Sequence, residues 1–254
     1  MKLLISGLCG HMGAEVAKLA LAGCRGATPA DTVGVDINAC GAEGMPCAHS
    51  FEEAVSPLYT AADCIVDFSH HSATPSLLSF AVTHRIPVVL ATTGHSEEEV
   101  AAIREAARSI PVFFAANFSL GVALLIDTAR RVAAAMPEAE IEIIEKHHDR
   151  KLDAPSGTAL AIANALCEVR PEATVVTGRS GYGKRTKEEI GIHAIRMGNV
   201  VGEHEVIIGT PNQTITLKHE AHDRALFAEG ALAAAAFLCE RCAPGLYGMT
   251  DLLA

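Results

Sequence analysis

Short apolar runs alternate with amphipathic stretches along the first 118 residues of the chain. The apolar runs are typical of buried β-strands and cover residues 2–6, 32–36, 64–68, 87–91 and 111–115. Amphipathic helices are predicted between them at 14–22, 73–83 and 96–108. Strands that alternate with helices in this way predict right-handed crossovers and an α/β fold, with a Rossmann-type, doubly wound parallel sheet.

The hydrophobic pattern changes after about residue 118. Ile141 and Ile143 alternate with Glu140 and Glu142, which is typical of a sheet with one buried face. A helix is predicted at 159–169, and further strands are predicted at 190–197, 203–209 and 213–219. Turn residues separate these later strands, so we expect a mostly antiparallel meander. The second domain is therefore predicted to be α+β, with a mixed, largely antiparallel sheet.

An alanine-rich helix is predicted at 226–238, and we expect it to return the chain to the first domain. The predicted domains are therefore 1–118 plus 226–254, and 119–225. The polar stretch 178–189 between glycines is interpreted as a surface loop, with a flap that closes over a ligand as the alternative.

Composition narrows the class of protein. Half of the 254 residues are hydrophobic and 4% are aromatic, which fits an aliphatic α/β core. A net charge of −10 argues against nucleic acid or an anionic membrane as partner. The chain has no apolar run of the roughly 20 residues that span a bilayer and no signal-peptide pattern, so we expect a cytoplasmic protein. The eight cysteines are irregularly spaced and are interpreted as reduced core thiols, including the Cys239 and Cys242 pair.

A glycine loop joins the first strand to the first helix. Gly7, Gly10 and Gly13 stand where backbone N–H groups and the helix dipole can bind a pyrophosphate. The spacing is GxxGxxG rather than GxGxxG, so a tight turn without a ligand is the alternative. The predicted cofactor loop also includes Leu8, Cys9, His11 and Met12.

Asp36 ends the second strand, 23 residues after Gly13. A carboxylate at this position accepts hydrogen bonds from a ribose diol. Residues 37–45 contain no Lys or Arg to neutralise a 2′-phosphate. We therefore expect NADH to be preferred, with NADPH as an alternative cofactor.

Two later strand ends carry small and polar residues that suit the nicotinamide end of a cofactor. In an open parallel sheet, ligands bind at the carboxyl ends of the strands. Ordinary turn chemistry is the alternative. His70 and His71 are expected to border this cleft or solvent. The predicted contacts at the two strand ends are Ala91, Thr92, Thr93, Ala115, Ala116, Asn117 and Phe118.

The segment 147–158 has the highest density of chemically active side chains. The neighbouring imidazoles of His147 and His148 and the ammonium group of Lys151 repel one another, and a bound dicarboxylate would relieve that repulsion. Gly157 and Thr158 lie at the predicted helix start, where N–H groups can bind a carboxylate. The alternative is a capped helix beside surface histidines. No spacing of the HExxH kind supports a metal site, and none is predicted.

Over essentially its whole length the chain resembles the 4-hydroxy-tetrahydrodipicolinate reductase family. The most specific match is the segment from His147-His148 through Lys151 to Asp153-Ala154-Pro155-Ser156-Gly157-Thr158. The glycine loop with Met12 and the strand ends Thr92-Thr93-Gly94 and Asn117-Phe118-Ser119 also fit. Leu8, Cys9 and His11 depart from the small or basic residues that the family often carries, and Ala91 stands where many members have glycine.

The resemblance implies reduction of a cyclic unsaturated dicarboxylate by NADH or NADPH in lysine and diaminopimelate biosynthesis. It implies a dinucleotide-binding first domain and a second domain that binds substrate and builds a homotetramer. His147 would donate and accept the proton and Lys151 would be a second proton donor. His148, Gly157 and Thr158 would contact the substrate.

Two other functions remain as alternatives. One is a related amino-acid dehydrogenase of the aspartate type, against which the segment 147–158 argues. The other is a non-catalytic NADH-sensing protein, from which the acidic and basic groups of this segment would be expected to be lost.

Overall fold

A computed structural model describes residues 1–28, 31–38, 44–240 and 243–253. The chain divides into two compact units. The first contains Met1–Ser119 and the described residues from Ala225 onward, and the second contains Leu120–Arg224. Cys242 lies outside the described residues, so the predicted Cys239–Cys242 pair is not placed.

The first unit is built on a seven-stranded sheet in which every pairing is parallel. Its strand order is β12-β6-β5-β4-β1-β2-β3, which confirms the predicted doubly wound Rossmann-type sheet. The strands are β1 (Leu3–Ser6), β2 (Val33–Val35), β3 (Cys47–Ala48), β4 (Cys64–Asp67), β5 (Val88–Leu90), β6 (Pro111–Phe114) and β12 (Gly245–Tyr247).

Helices cover both faces of this sheet. They are α1 (His11–Leu21), α2 (Pro57–Thr60), α3 (Thr74–His84), α4 (Glu97–Ala106), α7 (Ala225–Glu240) and α8 (Met249–Leu252). One core cluster packs α1 and α7 against the sheet, and a second cluster packs α3 and α4 against it. The alanines of α7 permit its close approach, since eight of its residues are buried.

The second unit packs two helices on one face of a five-stranded sheet. Its elements are α5 (Leu120–Ala135), β7 (Glu140–His147), α6 (Gly157–Val169), β8 (Thr174–Thr177), β9 (Glu189–Arg196), β10 (Gly202–Thr210) and β11 (Gln213–Ala221). Ile141 and Ile143 of β7 are buried under the helices, as their alternation predicted.

The sheet of the second unit is mixed, as predicted, but the expected meander of the last three strands is wrong. β9 does not pair with β10, because β7 lies between them. β7 is antiparallel to β10 and parallel to β9, and β8 is also parallel to β9. Burial of Ile141 and Ile143 under the helices fixes β7 in the middle of the sheet, and α6 supplies the crossover that parallel pairing requires.

Three short strands and three helices were missing from the prediction. β3, β8 and β12 have only two to four residues, which is too short for a periodic pattern. The helices α2, α5 and α8 were also not predicted. In the part of the chain that the structure describes, no helix combines the length and apolar character needed to cross a bilayer.

Candidate active site

The first unit has a crevice where its strand order reverses, at the carboxyl ends of β1 and β4. Gly7 follows β1 directly and has a left-handed φ of 79°. A Cβ atom there would lie 2.6 Å from the carbonyl oxygen of Phe68, which follows β4. The glycine therefore allows the two strand ends to approach each other closely.

Helix α1 begins inside the glycine loop, three residues earlier than predicted. Gly10 is its N-cap residue and has no side chain with which to cap the helix. The backbone N–H of Gly10 donates to the Gly7 carbonyl at 3.0 Å, which closes the loop as a tight turn. The first N–H groups of the helix are thus presented without a capping side chain, as an anion site requires.

A cavity of about 400 Å³ lies beside this loop. Its walls include Gly7 and Gly10 of the loop, Asp36 after β2, and Ser69 and His70 after β4. The structure therefore brings the predicted glycine loop and the predicted ribose carboxylate to one concave surface. Cavities of this size at a strand-order reversal are typical ligand sites.

Asp36 is 9% exposed and anchors the loop as well as lining the cavity. One carboxylate oxygen accepts the backbone N–H of Cys9 at 2.9 Å, and the other accepts that of Asn38 at 2.9 Å. Each oxygen retains a second lone pair that a ribose hydroxyl can use.

The end of β4 carries a buried carboxylate that the sequence analysis missed. Asp67 is fully buried, and its two oxygens accept hydroxyl hydrogen bonds of 2.6 Å from Thr92 and Ser69. The hydroxyl of Thr92, predicted to contact the cofactor, is therefore engaged inside the protein. Asp67 fixes the relative positions of the β4 and β5 ends.

The other predicted cofactor residues divide into core and surface positions. Leu8 and Phe118 are 0% and 2% exposed and belong to the core, so their backbone atoms are what they can offer to a ligand. The Asn117 side chain accepts the N–H of Ser119 at 2.8 Å. Thr93 is exposed, and Ala91 and Ala115 pack partly against the core.

Of the two histidines expected to border the cleft or solvent, His70 lies at the cavity and His71 lies against Glu99. His70 lines the cavity. Nδ1 of His71 lies 2.9 Å from the Glu99 carboxylate. Glu99 also accepts the N–H of Ser96 at 2.7 Å in the capping box of α4.

In the second unit, His147 ends β7 and is nearly buried. Its Nδ1 lies 2.6 Å from Oε2 of Glu145, whose side chain is fully buried. Arg196, at the end of β9, donates one hydrogen bond of 2.8 Å to each carboxylate oxygen of Glu145. The backbone N–H of Ser156 donates to Oε1 of Glu145 at 3.0 Å.

These contacts determine the charges of the cluster. Burial alone would raise the pKa of Glu145, but hydrogen bonds from Arg196, His147 and Ser156 outweigh burial and hold this pKa below its usual value. Burial is the largest cause that lowers the pKa of His147; Glu145 opposes that shift without cancelling it. Without a ligand, Glu145 is therefore ionised and His147 neutral at neutral pH.

A second buried histidine lies beside His147. The rings of His147 and His204 are 5.2 Å apart, and Nε2 of His204 lies 3.1 Å from the Ser156 hydroxyl. Burial, followed by the charge of His147, lowers the pKa of His204 to about 4. His204 is therefore a neutral hydrogen-bonding partner of the helix cap.

Helix α6 begins at Gly157, two residues before the predicted start, and Ser156 is its N-cap. The Ser156 hydroxyl accepts the N–H of Ala159 at 3.2 Å. Gly157 and Thr158 thus occupy the first turn, at the positive end of the helix dipole.

Lys151 and the start of α6 converge on one carboxylate. Nζ of Lys151 lies 2.9 Å from Oδ1 of Asp153. This bond to Lys151 is the largest cause that lowers the pKa of Asp153, and a hydrogen bond from the Gly157 backbone also lowers it. The predicted proton donor Lys151 and the predicted substrate contact Gly157 therefore already form a carboxylate-binding arrangement.

His148, another predicted substrate contact, has a buried Nδ1 with no hydrogen-bond partner in the described parts of the chain. Those same parts contain no group of three or more His, Cys, Asp or Glu side chains arranged to hold a metal ion.

Comparison with known proteins gives the family. Residues 1–118 match the profile described as "Dihydrodipicolinate reductase, N-terminus", and residues 121–253 match the profile described as "Dihydrodipicolinate reductase, C-terminus". The chain belongs to the dihydrodipicolinate reductase family.

A relative named 4-hydroxy-tetrahydrodipicolinate reductase, from Caldanaerobacter subterraneus subsp. tengcongensis, is 44% identical over 259 residues. The match covers 100% of this chain and 98% of that protein. Among solved structures, the dipicolinate-bound dihydrodipicolinate reductase of Paenisporosarcina sp. TG-14 has a TM-score of 0.80 at 24% identity, covering 99% of this chain and 98% of that one. Thermotoga maritima aspartate dehydrogenase has a TM-score of 0.50 at 12% identity, covering 92% and 94%. The family assignment favours the reductase reading over the aspartate-dehydrogenase alternative.

Within this family site, sequence reasoning missed Glu145, Arg196 and His204. A signal for them exists in the strand alternation. Glu145 follows Ile141 and Ile143 in the inward phase of β7. Arg196 and His204 lie in the same phase of β9 and β10, in which the buried residues include Ile190, Ile192, Val206 and Ile208. Charged or polar side chains at the buried positions of a strand need hydrogen-bond partners inside the protein, so they indicate a polar site there.

Proposed function

We propose that this chain is an NAD(P)H-dependent 4-hydroxy-tetrahydrodipicolinate reductase. The reaction forms tetrahydrodipicolinate with loss of water, in lysine and diaminopimelate biosynthesis. The shared family and the relatives' names support this proposal. The first unit would bind the dinucleotide, and the second would bind the substrate.

The observation that carries the proposal is the carboxylate of Asp153, held by Lys151 and by the backbone of Gly157. This arrangement belongs to the same hydrogen-bonded cluster as His147, because Arg196 donates both to Glu145 and, at 2.5 Å, to the Asp153 carbonyl. A receptor for a carboxylate beside a buried imidazole suits a dicarboxylate that must be protonated. We propose that a substrate carboxylate takes the same donors.

The residues of the second unit then have separate roles. His147 supplies the proton that quenches the electron density left on the substrate, because histidine's pKa is closest to neutrality. A bound dicarboxylate adds negative charge and favours the imidazolium form that this step needs. Lys151 stabilises developing negative charge and acts as a second proton donor. His148, Gly157 and Thr158 orient the substrate.

The first unit fits a nicotinamide dinucleotide. The glycine loop leaves a backbone cradle that a Cβ atom on Gly7 would fill, and the proposed contacts extend from Gly7 to Gly13 and include Asp36. When bound, the reduced nicotinamide supplies the hydride for ring C4 of the conjugated imine. The strand ends 91–93 and 115–118 would line its site.

We further propose that NADH is preferred to NADPH. Asp36 lines the cavity, and none of its described lining residues is Lys or Arg. A 2′-phosphate there would meet a carboxylate without a permanent positive charge to neutralise it. His49 is a basic lining residue of this wall, and its Nδ1 lies 3.3 Å from the Ile37 carbonyl.

We propose a homotetramer assembled through the second unit, in the cytoplasm. The two helices of this unit pack on one face of its sheet, and the other face carries Ile144, Ile195 and Ile207, all partly exposed. These isoleucines lie among charged side chains of the same outward face, including Glu142 and Lys146 of β7. The tetramer is therefore proposed from the family resemblance, and the isoleucines are the apolar contacts that this face can offer to a second subunit. Sedimentation equilibrium at four chain masses would support this assembly, whereas a single chain mass would contradict it.

The test of the reaction is oxidation of NADH and, separately, NADPH, followed by the absorbance of the reduced nicotinamide. Substrate is generated in place from pyruvate and aspartate semialdehyde by the preceding synthase. Oxidation that requires the complete mixture supports the reductase. Cofactor binding without oxidation would contradict it and favour the sensing protein, while NAD-dependent oxidation of aspartate would favour the dehydrogenase.

A further inference from the structure

At one end of the second unit's sheet, the inward side chains change from aliphatic to ionisable. Glu145 and His147 of β7 lie beside Arg196 of β9 and His204 of β10, and the register pairs His147 with Arg196 and Glu145 with His204. We propose that the buried Glu145–Arg196 pair is a positioning device: Glu145 fixes the tautomer and orientation of His147, and Arg196 fixes Glu145. The inference rests on the proposed function for the role of His147 in proton transfer.

The Glu145 carboxylate determines which nitrogen of His147 carries the hydrogen. Ionised Glu145 can only accept hydrogen bonds, so Nδ1 of His147, at 2.6 Å, must carry the hydrogen. Nε2 is then the nitrogen that gains and loses the catalytic proton. Gly202 faces Nε2, and a Cβ atom there would lie 3.1 Å from it. The glycine thus keeps open the side of the ring that must exchange the proton.

Glu145 is held in place by hydrogen bonds to both of its carboxylate oxygens. Its two oxygens accept hydrogen bonds from Nη1 and Nη2 of Arg196, from the backbone N–H of Ser156 and from Nδ1 of His147. A buried carboxylate is stable only with such compensation, and a two-point arginine contact fixes its plane. The imidazole bound to it is therefore held in one orientation.

The same Glu145–Arg196 pair is linked to the carboxylate receptor. Oε1 of Glu145 accepts the N–H of Ser156, the N-cap of α6. Arg196 also donates to the carbonyl of Asp153 at 2.5 Å. Glu145 and Arg196 therefore set the position of the 153–156 segment relative to His147. Proton donor and receptor are aligned by one buried ion pair.

The charged groups around His147 determine the expected pH effect. Glu145 raises the pKa of His147, while burial and the charges of Lys151 and Arg196 lower it. His204 is neutral at working pH because its pKa is about 4. Removing the Glu145 charge must therefore lower the pKa of His147 further. Because the reduction uses the protonated imidazole, loss of activity with rising pH will then begin at lower pH.

The first test is Glu145→Gln, which keeps the shape of the side chain and removes its charge. We expect turnover to fall by about 100-fold or more. The basic limb of the kcat/KM profile should move to lower pH. Nitrogen-detected NMR of the imidazoles should show the Nδ1–H tautomer of His147 in the wild-type protein and its loss in the variant.

The matched control is Glu142→Gln on the same strand. Glu142 also binds a histidine, with Nε2 of His193 at 2.9 Å, but this pair lies on the outward, partly exposed phase of β7 and β9. The turnover number of this variant should remain within twofold of the wild-type value. Its pH profile and its His147 tautomer should be the same as those of the wild-type protein.

Glu145→Gln leaves Arg196, whose side chain is only 18% exposed, without its counter-charge and can prevent folding. The double variant Glu145→Gln/Arg196→Met removes both charges, and we expect it to fold and still to lose the tautomer preference and turnover. A folded Glu145 variant with wild-type turnover and an unmoved pH limb would overturn the proposal. Failure of both variants to fold would also overturn it, since the pair would then serve the fold rather than His147.

The NMR readout separates this inference from the proposed function. If the wild-type protein shows no reductase activity but the His147 tautomer depends on Glu145, the proposed function fails and the positioning role stands. If the wild-type protein is an active reductase and the tautomer does not depend on Glu145, the positioning role fails alone.

Discussion

The candidate anion sites of the two units are built in different ways. The glycine loop of the first unit presents backbone N–H groups, and its nearby carboxylates, Asp36 and Asp67, bind loops and hydroxyls. The second unit instead uses charged side chains: Glu145 is buried against Arg196, and Lys151 pairs with the exposed Asp153.

The two candidate sites therefore depend on different properties, steric space in the first unit and charge in the second. A backbone site depends on steric space, so adding one methyl group is the most damaging change. A charged site depends on protonation and hydrogen-bond geometry, so a substitution of equal size that removes a proton donor is the most damaging. An added methyl group should therefore damage the first unit's site most, and the loss of a proton donor should damage the second unit's site most.

The largest expected effect is in the second unit, from His147→Gln. Loss of a general acid should lower kcat by about 10²–10⁴-fold, with a much smaller change in KM, because the proton is transferred in the transition state. Steady-state kinetics with both substrates varied would measure this. The control is His193→Gln, which removes an imidazole that binds Glu142 on the same sheet. An unchanged turnover number for His147→Gln would remove this residue from the mechanism.

An intermediate effect is expected in the first unit, from Gly7→Ala. The new methyl group would meet the Phe68 carbonyl oxygen at 2.6 Å in a backbone conformation that disfavours alanine, which costs about 1–3 kcal/mol. We expect the dissociation constant of NADH to rise roughly tenfold or more, as measured by fluorescence titration.

The control for Gly7→Ala is Gly23→Ala. Gly23 also has a left-handed φ, of 73°, but a Cβ atom there would meet nothing within 4 Å. This variant should lose some stability and keep its cofactor affinity. Equal losses of NADH affinity in the two variants would show that the loss comes from backbone strain and not from the contact with Phe68.

The smallest expected effect comes from Asp36→Asn, the one change that tests charge within the first unit. Removing the repulsion of a 2′-phosphate should raise kcat/KM for NADPH relative to NADH by about tenfold, since roughly 1–2 kcal/mol is expected for charges near a surface. Asp31→Asn, which alters an exposed partner of Lys2, is the control for net charge. If Asp36→Asn left the ratio of kcat/KM for NADPH to that for NADH unchanged, the role proposed for this carboxylate would be contradicted.

Much of the first unit followed from local pattern. Its central strands and its long helices α1, α3 and α4 lie within a few residues of the predicted positions, because each is long enough to show a period or an apolar run. α5 was missed although Val122, Leu125, Ala129 and Ala133 are buried at helical spacing, so its signal was present in the sequence.

Strand neighbours in the second unit did not follow from local pattern. The turn at Gly198-Asn199 suggested that β9 and β10 form a hairpin, but β7 pairs with both of them. Turn residues indicate only where the chain changes direction. Which strands pair depends on how the apolar faces of whole strands pack in the core.

By itself the sequence determined the chemical inventory of this protein: the glycine loop, Asp36, the segment 147–158 and the family to which they point. Local patterns carry this information because spacing along a strand or helix sets which side chains share a face. The tertiary structure alone decided that Arg196 and His204, from two other strands, surround Glu145 and His147. Those contacts join residues about 50 positions apart, and only the sheet register, set by burial of the apolar faces, brings them together.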